Sequence, residues 1–383
     1  MPKGTRYPPE SKLLVDDRTG SAIRQVTSHP SIHHQPFFFV QAYDDAMRWL
    51  FFVSHRTGVP QVFAEERATG QLIQLTDRPD LNEWSVRPAH GGRAVFFTAG
   101  AKGWRLDMAT LAEHELADFA ADRMLAEGMV AAAMGTTALS ADDRWWAVSY
   151  KDGAESALAI VDTEAGGHQV ILRRDSIAHM QFCPDDTNLL FYAGPLTNRV
   201  WLIHRDGSKN RRLYERAAGE WITHESWIPR TRELAFVDWP KGVRCVHVDT
   251  GVERRVTSFN AWHAICNRQG TLMVADTNFP DIGLQVFDPR AGSVGDSISR
   301  FSGYWPGQGG QPTTLCFPES SSLGEHWNGP FPYNHGPIKV YAPQHTHPHP
   351  SFSPDGRRVV YTSDRTGFSQ VYEVELPVEM VRG

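Results

Sequence analysis

The segment Pro343-Gln-His-Thr-His-Pro-His-Pro-Ser-Phe-Ser-Pro-Asp-Gly356 sets His347 and His349 two residues apart. In extended chain, side chains two apart project from the same face, so both imidazoles can reach one ion. Gln344 can add an amide oxygen, and His263, in the preceding repeat of the chain, can add a third imidazole. All four donors are neutral, so a divalent ion held by them keeps most of its charge for a bound carboxylate. Imidazoles also suit zinc, iron or nickel, and the donor set alone leaves the metal open.

Histidine is abundant, at 17 of 383 residues, and four copies fall at one position of a repeated pattern: His179, His224, His263 and His349. A single histidine is more often a structural or surface residue. Four at one symmetric position reverse that expectation, because converging imidazoles serve metal binding or proton transfer. Loops on the same side carry Arg56, Lys102, Lys151, Arg199, Lys241 and Arg365, while the sixth repeat carries Asp276 and Asp281 there. Singly these are ordinary solvated loop charges; as a set the cations focus a field suited to a small anionic ligand. Lys151 and Arg365 are therefore candidates for substrate contact, as are His33 and His34, which with Phe37 precede the first inner strand. Trp227 and Trp262 lie near the histidines, where core packing is their commoner role.

The elements that must position these residues are short strands. Seven segments share one shape, a few residues leading to a tight turn and then an apolar β-rich run: Phe38 to Phe51, Ser85 to Thr98, Thr136 to Ser149, His179 to Tyr192, His224 to Val237, His263 to Asp276 and His349 to Thr362. Their turn anchors Asp44, Gly91, Asp142, Asp185, Arg230, Gln269 and Asp355 are spaced by 47, 51, 43, 45, 39 and 86 residues. A period of about 40 to 50 residues with hairpin turns predicts an all-β, seven-bladed β-propeller. In that meander the start of each inner strand, the loop between the second and third strands and the link between blades share one face, so the histidine column rings the mouth of a channel.

The last spacing is one blade plus an insertion. Phe301 to Pro343 holds seven Gly and seven Pro without a clear alternating run, and reads as a long excursion between blades six and seven. Gly20 to Thr27 resembles the outer strand near Gly70 to Thr76, so the N-terminal strand is expected to complete the C-terminal blade and remove an exposed edge. The whole chain, 1–383, then forms one domain.

Composition narrows the function classes. Apolar residues at 41% exclude global disorder, and a net charge of −6 argues against a broad basic surface for nucleic acid or membrane. The N-terminus shows no secretory signal, and no stretch approaches the roughly 18 apolar residues of a membrane span. Cys183, Cys245, Cys266 and Cys316 are far apart, which points to buried or idle thiols in a reducing, cytoplasmic setting.

At Gln344-His-Thr-His347-Pro-His349-Pro the sequence resembles the oligogalacturonate lyases, seven-bladed propeller enzymes of bacterial pectin breakdown, and the resemblance runs along essentially the whole chain. It implies a manganese ion held by Gln344, His347, His349 and His263. It also implies a Brønsted base at His224, in His-Glu-Ser-Trp-Ile-Pro, and an arginine at Arg199 that binds the substrate carboxylate. The implied reaction is β-elimination from a short oligogalacturonate such as digalacturonate: loss of the C5 proton and expulsion of the C4 oxygen. Hydrolysis would normally need a close pair of carboxylates, and the channel column has none. Two other classes stay open on the residues alone: a non-catalytic binding module like the TolB propellers, and a lyase for a different uronate.

Overall fold

The computed structural model describes residues 2–120, 136–290, 293–294, 312–320 and 347–381. Each predicted repeat forms the inner hairpin of an antiparallel sheet. Asp44 shows why the chain turns where it does: its Oδ1 accepts the N–H groups of Arg48 (2.7 Å) and Trp49 (2.8 Å), closing the turn before the strand Trp49–Ser54. Gly92 completes this corner with φ of +67°, where an added Cβ would stand 2.6 Å from Asp44. Asn267 repeats the device, its Oδ1 accepting the N–H groups of Thr271 and Leu272, and the hydroxyls of Ser140 and Ser353 accept those of Trp145 and Arg358. The expected anchors Asp142 and Asp355 stand two residues further on and brace the turns through the Arg144 and Arg357 N–H groups.

Seven sheets of four or five strands result, the expected seven-bladed β-propeller. Four belong to one compact unit that includes residues 29–120 and 136–215, and three belong to a second that includes residues 11–28, 216–290 and 347–381. The strands bury most of their side chains on both faces. In the first unit Phe51, Val53, Val62, Val95 and Phe97 share a cluster; in the second, Val237, Val243, Ala275, Val286 and Tyr361 do the same. Full burial of one such side chain contributes about 1.5–3 kcal/mol.

The last sheet is completed as expected by the N-terminal segment. Ala22–Gln25 pairs with Gln370–Glu375, setting Ile23 against Val374 and Arg24 against Glu373, and Lys12–Val15 adds the outermost strand. Three further strands depart from the sequence reading. Arg6–Tyr7 and Ser293–Val294 each add a fifth strand to a sheet. Thr313–Cys316, inside the stretch read as an excursion, pairs with Leu284–Phe287 as the fourth strand of the sixth sheet. Four residues are too few to show a period against a Gly/Pro-rich background. The excursion therefore begins within the sixth sheet, before its last strand, and 301–311 and 321–343 lie outside the described residues.

Candidate active site

Three inner strands break register where the histidines stand. Pairing skips between Ala178 and Gln181, between Thr223 and Ser226, and between Ala261 and Ala264. Bulges of this kind bend a strand and re-aim its side chains. His179 and His224 sit in them with left-handed φ of 50° and 49°, and His349, just before the strand Ser351–Phe352, has φ of 48°. Histidine enters this region more readily than most residues, yet each such position still costs on the order of 1 kcal/mol.

In the second unit the bulges bring His263, His347 and His349 together, all buried. Their ring centroids lie 4.3 Å (His263 to His349), 5.4 Å (His263 to His347) and 5.7 Å (His347 to His349) apart. Behind them stands Asp276, wholly buried on the strand Met273–Thr277. The His263 backbone N–H donates to its Oδ1 at 2.6 Å, His263 Nδ1 donates to its Oδ2 at 2.9 Å, and the His349 N–H donates to Oδ2 at 3.3 Å. Burial pushes the Asp276 carboxyl up to about 7, against the lowering pull of His347 and of the His263 and His349 amides. With Nδ1 engaged, His263 offers Nε2 as its basic nitrogen, the orientation that carboxylate-backed metal ligands adopt. Three clustered imidazoles with a carboxylate behind one of them have the donor chemistry of a divalent transition-metal site, but among the described residues the group whose donor atoms all lie within 4.8 Å of one another is His34, His55 and Glu83. Gln344 lies outside the described residues.

His224 borders this cluster, its ring 4.1 Å from His263 and edge-on to Trp262 at 4.8 Å. Its Nδ1 donates to the Trp262 carbonyl. A carbonyl can only accept, so the neutral ring carries its proton on Nδ1 and keeps Nε2 basic. Trp262 is buried between His224, Trp239 and His347, a packing role that also supplies the carbonyl.

In the first unit Arg199 is buried and its Nη2 donates to His179 Nδ1 at 2.9 Å. The His179 ring is flanked by Phe37 (5.3 Å) and Phe39 (5.9 Å). Over Phe39, at 5.2 Å, lies the guanidinium of Arg87, a buried cation whose Nε and Nη2 have no hydrogen-bond partner among the described residues. Burial pulls Arg87 down to about 9. The sequence reading missed Arg87, although it stands two residues past Ser85 of the aligned column, a charge in a strand that should be buried.

Other expected contacts are placed differently. His33 is wholly buried, held through Nε2 by Ser31 Oγ and the His29 carbonyl, and burial holds it well below the usual histidine range. So placed, it offers a sugar no surface. His34 turns to Glu83 and His55. Lys151 donates to the Asp175 carbonyl at 3.1 Å, and Arg365 pairs with Glu319 at 2.9 Å. Arg56, Lys102 and Lys241 likewise have carboxylate neighbours in Glu10, Glu115 and Asp238, so much of the expected basic ring is compensated locally. Asp276, read as a loop charge, is a buried strand residue.

The model of the family described as oligogalacturonate lyase matches residues 1–290. The chain is 25% identical over 402 residues to the oligogalacturonate lyase of Dickeya dadantii, covering 98% of this chain and 99% of that one. It is 23% identical to the oligogalacturonide lyase of Pectobacterium atrosepticum, with the same coverage. Two solved structures share the fold: an oligogalacturonate lyase in complex with manganese, at TM-score 0.80 and 24% identity, and an oligogalacturonate lyase from Vibrio parahaemolyticus, at 0.78 and 23%. Each covers 99% of this chain and is itself covered completely. With a family match over three quarters of its length and relatives aligned end to end, the chain belongs to the oligogalacturonate lyase family of enzymes.

Proposed function

We propose that the protein cleaves short oligogalacturonates, such as digalacturonate, by β-elimination. The observation that carries this reading is the pairing of an oriented imidazole base, His224, with the cluster His263, His347 and His349 beside it. Those three histidines, with Gln344, would hold the metal, and manganese is the choice suggested by the solved relative. Bound there, a divalent ion supplies Lewis-acid chemistry, drawing charge from the uronate carboxylate so that the proton alpha to it is more acidic.

The protein's own groups do the rest. His224 Nε2 takes the C5 proton, the C5 electron pair forms the C4=C5 double bond, and the C4–O bond breaks, its oxygen receiving a proton from solvent. A positioned base of this kind contributes about 10²- to 10⁴-fold. The Trp262 carbonyl stabilises the imidazolium once the proton has moved, because His224 Nδ1 already donates to it. Arg199 is the anchor for a sugar carboxylate through its planar fork, with His179 holding one edge of the guanidinium. Arg87, stacked over the Phe39 that packs on His179, is a second anchor: a buried cation gains most when an anion replaces lost hydration. Four buried thiols suit a reducing compartment, and we place the enzyme in the cytoplasm, acting on imported oligomers. No helix among the described residues is long and apolar enough to cross a membrane.

The deciding experiment follows the ultraviolet absorbance of the unsaturated product with manganese present, across a panel of uronate oligosaccharides. Digalacturonate should give the largest rate. No absorbance rise with any galacturonate oligomer overturns the proposal, and a rise confined to another uronate reassigns the substrate.

A further inference from the structure

We propose that His34, His55 and Glu83 form a second divalent-metal site, of a zinc type, that shares no residue with the histidine cluster described above. His34 lies in the strand His33–His34, His55 directly follows the strand Trp49–Ser54, and Glu83 opens the short helix Glu83–Ser85 that leads into the next sheet. All three lie within the first compact unit. One donor atom from each falls within 4.8 Å of the others.

The proton arrangement is what points to a cation. His34 Nδ1 stands 2.8 Å from the Gln35 carbonyl, which can only accept, so Nδ1 carries a hydrogen. His34 Nε2 then faces Glu83 Oε2 at 3.1 Å, and a neutral ring would set a lone pair against a carboxylate oxygen. His55 Nε2 approaches the same oxygen at 2.6 Å. His55 can donate to that oxygen as a neutral ring, but His34, whose Nδ1 already holds its hydrogen, can face it only with a positive charge between them, supplied either by an extra proton or by a metal.

The surroundings favour the metal. Two histidines and a glutamate are a zinc donor set, and atoms bound tetrahedrally at about 2.0–2.1 Å stand about 3.3 Å apart. The 3.1 Å from His34 to Glu83 is close to this, and the 2.6 Å from His55 to Glu83 opens by a side-chain adjustment when the ion enters. The Nδ1–H to carbonyl bond of His34 is the outer contact that orients a ligating imidazole. Trp84 stacks on the His34 ring at 4.6 Å, and Asn82 caps the helix through the Trp84 N–H, so two of the donors are held from behind. The nearby cation Arg56 is already engaged by both oxygens of Glu10 and does not compete for Glu83. Side-chain exposures of 24% for His55 and 26% for Glu83 leave an open side for water or an anionic ligand. Because Glu83 precedes the second sheet while both histidines belong to the first, the ion would clamp two neighbouring blades.

Zinc titration of the chelator-treated full chain tests this, by calorimetry and by the visible spectrum of the cobalt(II) form. A variant with His263, His347 and His349 all changed to alanine isolates the site. It should bind one zinc per chain, and adding His55→Ala or Glu83→Gln should weaken that binding by roughly 100-fold or more, with the circular dichroism spectrum unchanged. His55→Asp, which keeps an oxygen donor, should retain measurable binding. If the triple variant does not fold, stoichiometry in the otherwise native chain should fall by one zinc in His55→Ala. No zinc on the triple variant, or zinc binding indifferent to His55 and Glu83, overturns the proposal and leaves a proton-linked cluster.

Discussion

Asp276 grips His263 at two points, its carboxylate accepting both the backbone N–H at 2.6 Å and ring Nδ1 at 2.9 Å. One side chain thus fixes where the imidazole sits and which nitrogen it presents. Changing Asp276 to Asn keeps the shape but removes the charge and the enforced tautomer. Manganese affinity should fall about 10- to 100-fold in calorimetric titration. The metal-free melting temperature should fall, because the amide NH2 takes the place of an accepting oxygen and must face the backbone N–H of His263 or His349, donor against donor.

His224→Ala should lower kcat by about 10²- to 10⁴-fold. Its KM and its metal stoichiometry should stay near those of the parent, since the ring belongs to the proton transfer and not to the ligand set. A parallel loss of metal would assign His224 to the cluster instead.

Arg199→Lys should raise KM more than it lowers kcat, because an ammonium cannot reproduce two parallel bonds to a carboxylate. Arg87→Met should do the same while leaving thermal stability equal or higher, as it removes a buried charge without a hydrogen-bond partner on two of its nitrogens among the described residues. Steady-state kinetics on di- and trigalacturonate, with melting curves, separates the two effects.

Acid should loosen the second unit through Asp16. Burial pushes this carboxyl up, but the N–H groups of Phe317, Thr19 and Arg18 outweigh that and hold it below its ordinary 3.8. A depressed carboxylate adds stability that is complete above its unfolded value and fades as pH falls through the folded one. Asp16→Ala should cost about 2–3 kcal/mol at neutral pH, a deficit that shrinks below about pH 4. Denaturant melts at pH 7 and pH 3 measure it.

Removing residues 1–28 should strip two strands from the last sheet and bare the edge of Gln370–Glu375. The expected result is a chain that expresses into the insoluble fraction; a soluble, monomeric product by size exclusion would contradict the role given to this segment.

The seven hairpins are legible in the sequence because one spacing and one kind of turn recur, although the acceptor that closes the turn is Asp44 in the first repeat and Ser140, Asn267 and Ser353 in others, so that Asp142 and Asp355 stand two residues past the matching point. The histidine column is legible for the same reason. Hidden are the left-handed bulges at His179 and His224, since spacing counts residues and not their dihedral angles. Hidden too are the partners of the loop cations. Arg56 finds Glu10 at a sequence distance of 46, a pairing that exists only once the N-terminal segment has folded back against the first sheet. Arg87 and the meeting of His34, His55 and Glu83 depend likewise on neighbours that no local pattern names.

The Arg24 to Glu373 ion pair at 2.5 Å joins residues 349 positions apart. During synthesis the other sheets draw mainly on strands close together in sequence, so most of their pairing can begin while the ribosome is still adding residues. The seventh cannot: its two outermost strands, Lys12–Val15 and Ala22–Gln25, emerge early and must wait for Ser351–Phe352, Arg358–Ser363 and Gln370–Glu375. Closing so long a loop costs only about (3/2)RT ln n in free energy, yet non-local pairing is slow. Folding should therefore end in a late step, after Gln370–Glu375 has been made, a window in which Ile23 and Val374, buried in the finished sheet, are still open to chaperones.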